Sequence, residues 1–188
     1  TLFPYTTLFR SLPGVSTYST QAAFVAMYEA TNTRVYAYAR RHADADVAPD
    51  VVGEVYLVAW TRRDDLPDEP LPWLLVTARN VLHRHWRHLS RRQRLTTERD
   101  GIDALAAASD ASAEERIALA DAFARLSEDD RETLLLVGWD GLTPAQAAGV
   151  VGCSANAFAA RLSRARRRFT AHTGDRAPVR LVALPTGE

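Results

Sequence analysis

Apolar residues along this chain recur at helical intervals, and no segment alternates with the period of two that a half-buried strand requires. Residues 22–42 carry Ala23, Met27, Ala30, Val35 and Tyr38 with few breakers, which predicts a long amphipathic helix. Pro49 opens the next helix, in which Val52, Val55, Tyr56 and Ala59 stand at i, i+3, i+4 and i+7 and Trp60 closes the run. Residues 64–72 are dense in proline and acid, which predicts a rigid connection without helix. A third helix is expected from about Pro72 to Leu95. Its first half is apolar (Trp73, Leu74, Leu75, Val76, Val81, Leu82), while its second half, HRHWRHLSRRQRL, is basic and carries an aromatic.

Residues 96–111 are acidic and alanine-rich, the composition of a flexible linker. Beyond them, Ser112 with Glu115 and Ser127 with Asp130 have capping-box spacing. They predict two helices that bury Ile117, Ala120 and Phe123, and then Leu134, Leu135 and Trp139. The stretch from Gly141 to Phe169 reads as a helix-turn-helix. Thr143, Pro144 and Gln146 supply an N-cap hydroxyl, a first-turn proline and a capping-box amide. Gly152 is suited to the left-handed conformation that ends the first helix, and Ser154 caps the second after a turn of a few residues. In that second helix Phe158, Leu162, Ala165 and Phe169 form one buried stripe, with Arg161, Arg164 and Arg168 beside it. The fold class is therefore all-α: two helical lobes, residues 20–95 and 112–172, joined by the linker at 96–111 and followed by a tail at 173–188.

Charge sharpens this picture. The formal net charge is zero, yet residues 141–172 hold five arginines and no acid, whereas residues 100–140 hold eleven acids against three arginines. That segregation suits a nucleic-acid surface beside an acidic linker. All 23 basic residues are arginine, which fits a GC-rich coding bias and also suits phosphates and guanine edges. With 188 residues, 47% hydrophobic and 24% charged, the chain has room for one core or two small ones, and no apolar run reaches the length of a membrane span. The single Cys153 excludes an internal disulfide and, in the turn, reads as a small buried residue in a reducing cytosol. Residues 1–11, TLFPYTTLFRS, nearly duplicate Thr-Leu-Phe, lack the charged and apolar regions of a signal peptide and read as foreign to the gene; the remainder of residues 1–19 is unassigned. His83, His85 and His88 suggest a metal site, but only 85 and 88 are helical neighbours and no carboxylate or thiol is close in sequence. No metal or cofactor is expected, and those histidines suit a cationic nucleic-acid surface better than metal-dependent hydrolysis.

Four motifs, DVVGEVYLVAW at 50–60, PWLLVTARN at 72–80, LSEDDRETLLL at 126–136 and the terminal helix-turn-helix, resemble in order and spacing the extracytoplasmic-function (ECF) sigma factors of the sigma-70 family. The resemblance implies a cytoplasmic, non-enzymatic promoter-specificity subunit that partners core RNA polymerase and promoter DNA, with an anti-sigma factor as a further partner. It implies that Asp50, Glu54, Tyr56 and Trp60 bind core polymerase, with Gly53 standing where the family usually has glutamine. It implies that the loop at 64–73 and Trp73, Arg79, Asn80, His83 and Arg84 meet the −10 element, where unstacked bases need hydrogen bonds and aromatic stacking. Ser154, Arg161, Ser163, Arg164 and Arg166 then fall at −35 contact positions, with Arg167 and Arg168 on phosphates; Ala159 and Ala160 replace polar residues common in relatives. The residues alone leave a second reading open, a transcriptional regulator that uses only the C-terminal helix-turn-helix.

Overall fold

A computed structural model describes residues 17–86 and 113–173, all-helical among those residues and divided into two compact units. The first unit holds α1 (Gln21–His42), α2 (Ala48–Thr61) and α3 (Pro70–Trp86), each packed on the other two. The second holds α4 (Ala113–Ala124), α5 (Glu128–Gly138), α6 (Pro144–Val151) and α7 (Ala155–Thr173), with α7 packed against the other three. The predicted linker, the segments at 1–11 and 173–188 beyond Thr173, and the basic run from 87 to 95 lie outside the described residues.

Local signals start the helices where the sequence places them. The Thr20 hydroxyl accepts from the Ala23 N–H at 3.2 Å and begins α1. The buried face of α1 is Phe24, Met27, Thr31, Val35, Tyr38 and Ala39; Ala30, expected inside, is exposed. The stripe rolls past Ala30 because Phe24 and Thr31 meet α2: the Phe24 ring lies edge-on to Trp60 at 5.0 Å, and the Thr31 hydroxyl is 2.8 Å from the Tyr56 hydroxyl. In α2 it is Val51, and not Val52, that is fully buried beside Val55, Tyr56 and Ala59. Two further differences concern the connection after α2. Residues Arg63–Asp65 make one 3-10 turn, and α3 begins at Pro70, so both Pro70 and Pro72 sit in its first turn, where a missing N–H costs no hydrogen bond. Tyr18 also reaches this connection, donating its hydroxyl to the Asp68 carbonyl at 2.8 Å.

In the second unit α4 turns a different face inward than its period suggests. Leu119, Ala122 and Phe123 are buried, whereas Ile117 is 66% exposed. Ser127 caps α5 by accepting the Asp130 N–H at 3.2 Å, but no reciprocal bond is formed, because the Asp130 carboxylate is engaged by Arg168 of α7. The helix-turn-helix follows its sequence signals closely: the full Thr143–Gln146 capping box is present, Gly152 ends α6 at φ 76°, and the Ser154 hydroxyl accepts the Ala157 N–H at 3.2 Å. Cys153, expected to be buried, is only half-buried in that turn.

Candidate nucleic-acid interface

The surface of α2 is built on an aromatic underlayer. Thr31 and Tyr56 join hydroxyls, Tyr28 stands edge-on to Tyr56 at 4.7 Å, and Phe24 supports Trp60. Tyr56 is only 6% exposed, so it belongs to this underlayer, in keeping with its place in the apolar stripe of α2, and not to the outer face. The cause is its spacing from Ala59 and Val55, which fixes that side of the helix against α1. Burial pushes the Tyr56 phenol up to about 12; the Thr31 hydrogen bond opposes that rise and nearby Tyr28 adds to it. Asp50, Gly53, Glu54 and Trp60 remain on the outer face. Arg63 lies over the Trp60 ring at 4.7 Å and donates to the Trp60 carbonyl at 3.1 Å, holding the indole in place. Leu57, 63% exposed, shares this face and was missed by the sequence reading, although it stands three residues from Glu54 and from Trp60.

The candidate residues of α3 separate into two rows. Trp73, Thr77, Asn80 and Arg84 stand at i, i+4, i+7 and i+11 and form one partly exposed stripe; Arg79 and His83 form another on the opposite flank of the buried face, which holds Leu74, Leu75, Ala78 and Leu82. The first stripe adjoins α2, because Arg84 makes an ion pair with Glu54. Thr77, not singled out by sequence, bonds the Trp73 carbonyl at 3.0 Å and completes the stripe. His88 lies outside the described residues, and among those described no group of three metal-ligating side chains is arranged around a common point.

On α7, Phe158, Leu162 and Ala165 are buried and Phe169 packs on Phe123 with ring centroids 5.1 Å apart. Ser154, Ser163, Arg164, Arg166, Arg167 and Arg168 are exposed, and Arg161 is half-buried at the edge of the core stripe. Arg164, Arg167 and Arg168, with Ala171, line an open groove of about 340 Å³. Arg166 is on the far side of the helix from that groove by its spacing from Arg164 and Arg168. Ser154 spends its acceptor on the helix cap and keeps its O–H for an outside partner. Arg168 is engaged from beneath by Asp130, whose side chain is 5% exposed, while the arginine itself is 57% exposed.

Comparison with known proteins agrees with both lobes. Residues 20–92 match the family "Sigma-70 region 2" and residues 116–169 match "Sigma-70, region 4". The chain is similar to the ECF RNA polymerase sigma factor EcfG of Rhodopseudomonas palustris, 32% identical over 133 residues, covering 68% of this chain and 72% of the relative. It is also similar to the ECF RNA polymerase sigma factor SigC of Mycobacterium tuberculosis, 31% identical over 147 residues, covering 77% and 80%. In fold it is similar to the sigma factor RpoE of Bartonella quintana, solved in complex with the anti-sigma factor NepR, with TM-score 0.60 and 24% identity over 81% of this chain and 98% of that one. The regulator reading, which needs only the second lobe, is not favoured, since the similarity extends through region 2. This chain belongs to the extracytoplasmic-function sigma factors of the sigma-70 family, which direct promoter-specific initiation by RNA polymerase.

Proposed function

We propose a division of labour within this sigma factor in which the outer face of α2 docks on core RNA polymerase, α3 captures the melted −10 element and α7 reads the −35 duplex. Asp50, Glu54, Leu57 and Trp60 make the docking contacts, with Tyr56 as their buried support. Trp73, Asn80 and Arg84, with the connection between α2 and α3, receive unstacked bases; Arg79 and His83, on the other flank, meet backbone phosphates. Ser154, Arg161, Ser163 and Arg164 approach base edges in the major groove, and Arg166, Arg167 and Arg168 contact phosphates on either side. The observation that carries this reading is the α3 stripe: one aromatic, one amide and one guanidinium in line, half-exposed, adjoining the docking helix.

The protein acts by binding and not by catalysis, in the cytoplasm where the polymerase works; among the described residues no helix is long and apolar enough to cross a membrane. An anti-sigma factor is proposed as a further partner, on the likeness to RpoE, which was solved with one. The exposed apolar residues Val25, Tyr28, Leu57 and Trp60 give such a partner an apolar surface on the first lobe.

Unpairing DNA costs a few kcal/mol that only single-strand contacts offset. In the holoenzyme, Asn80→Ala is therefore expected to leave closed-complex formation near normal and to suppress strand opening on linear promoters, with recovery on a pre-melted bubble. Permanganate footprinting on both templates checks this; normal opening on the linear template refutes the role given to Asn80.

A further inference from the structure

Asp130 sits in the first turn of α5, where it has a backbone reason to be: its N–H is the donor that Ser127 caps. Its side chain has no such reason. A carboxylate 5% exposed is costly unless a cation meets it, and the cation here comes from 38 residues further along, the Arg168 guanidinium on the last turns of α7. That guanidinium is not spent by the contact. Nη1 faces Asp130, while the side chain stays 57% exposed and lines the open groove with Arg164 and Arg167. Five N–H donors in a rigid fork allow one edge to be held by an acid and the other to be offered outward.

We propose that Asp130 is a positioning residue for duplex recognition: it fixes Arg168 so that its free donors meet one backbone phosphate in a single register along the groove of Arg164, Arg167 and Arg168. The inference rests on the reading of α7 as the −35 helix. Phosphate contacts carry no sequence information themselves, but a rigid one sets which bases the neighbouring side chains reach. Asp130 also places a negative charge next to the phosphate path, so it weakens indiscriminate attraction while it sharpens register. The two effects of removing it therefore have opposite signs on specific and non-specific binding, which a purely structural carboxylate would not produce.

The test uses the full chain, a duplex recovered by the wild-type chain from a random-sequence pool, and a scrambled duplex of the same composition, each titrated over a range of salt. For Asp130→Asn the ratio of specific to scrambled affinity is expected to fall about 3- to 10-fold, scrambled affinity to hold or rise, and the slope of log K against log salt to steepen by about one counterion. Equal losses on both duplexes, or an unchanged ratio and slope in a folded variant, overturn the proposal. Should Asp130→Asn fail to fold, Arg168→Lys keeps the charge and loses the fork: a fallen ratio with an unchanged slope supports the proposal, and an intact ratio overturns it. A wild-type chain with no preference for any duplex removes the −35 reading itself, a result distinct from the loss of preference confined to the variants.

Discussion

Each lobe ties one candidate DNA-contacting arginine to an acid on a neighbouring helix, and the two ties differ mainly in where the acid sits. In the first lobe Arg84 and Glu54 are 55% and 44% exposed, so water and salt screen both partners. In the second, Arg168 is as exposed as Arg84 but Asp130 is only 5% exposed, so the acid relies on its arginine. The same pair of functional groups is therefore a surface acquaintance in one lobe and part of the scaffold in the other. The first lobe obtains its rigidity elsewhere, from the buried Tyr56–Thr31 hydroxyl pair and the rings around it.

Removing the arginines one at a time separates the two ties most widely. Arg168→Ala leaves a buried carboxylate without its cation and is expected to destabilise the second lobe by about 3 kcal/mol. Arg84→Ala is expected to change the first by no more than about 0.5 kcal/mol. Chemical denaturation of the full chain checks both, and an Arg168→Ala loss below that of Arg84→Ala would show that burial of the acid does not govern the difference.

How much of this was legible in the sequence follows the distance between cause and effect along the chain. The Thr143–Gln146 box, the Gly152 turn and the Ser154 cap are each decided within four residues, and all are present where expected. Ser127 and Asp130 have capping-box spacing and the Ser127 half of the box forms, whereas the partner of the Asp130 carboxylate is 38 residues away and leaves no local trace. Helix phase is the other feature that local sequence leaves open. In an alanine-rich helix such as α4 several faces are equally apolar, so the spacing points Ile117 inward while the packing of Leu119, Ala122 and Phe123 turns it out. Tyr56 reads equally well as a contact or a core residue, because a phenol is apolar in body and polar at its tip; only the Thr31 hydroxyl, on another helix, decides it.

Tyr56 gives the next expected effect. Its phenol titrates near 10 when unfolded and is pushed up to about 12 in the fold, first by burial. The neutral form is the one the fold favours, so the contribution is fully present below pH 10 and is lost as pH rises through about 12. That loss amounts to about 2 to 3 kcal/mol. Denaturant midpoints of the first lobe at pH 9 and near pH 12 should converge in Tyr56→Phe relative to wild type. An equal drop in both proteins would separate the alkaline transition from this hydroxyl.

Gly53 tests the outer face of α2 from the opposite direction. A Cβ built there meets no atom within 4 Å, so Gly53→Ala should stabilise the helix by about 1 kcal/mol through the lost chain entropy of glycine. Thermal unfolding reads this directly. A destabilised Gly53→Ala would mean that the helix interior tolerates glycine for a conformational reason. Gly53→Gln, which adds the amide usual in the family, should gain similarly in stability and also tighten co-purification with core polymerase.

The smallest expected effect decides whether exposure alone explains the weakness of the first tie. A double-mutant cycle on Glu54→Gln and Arg84→Gln isolates the pair from whatever each side chain does separately. With both partners about half in water, their coupling should be no more than about 0.5 kcal/mol at physiological salt and should vanish near 1 M, where charges are screened within a few ångströms. The Asp130 and Arg168 cycle, run the same way, should retain most of its coupling in high salt because one partner is out of reach of counterions. If the Glu54 and Arg84 coupling instead survived 1 M salt, the stripe beside it would be drier in solution than its exposure indicates. Arg84 would then be held as firmly as Arg168, and the two lobes would anchor their arginines by one rule.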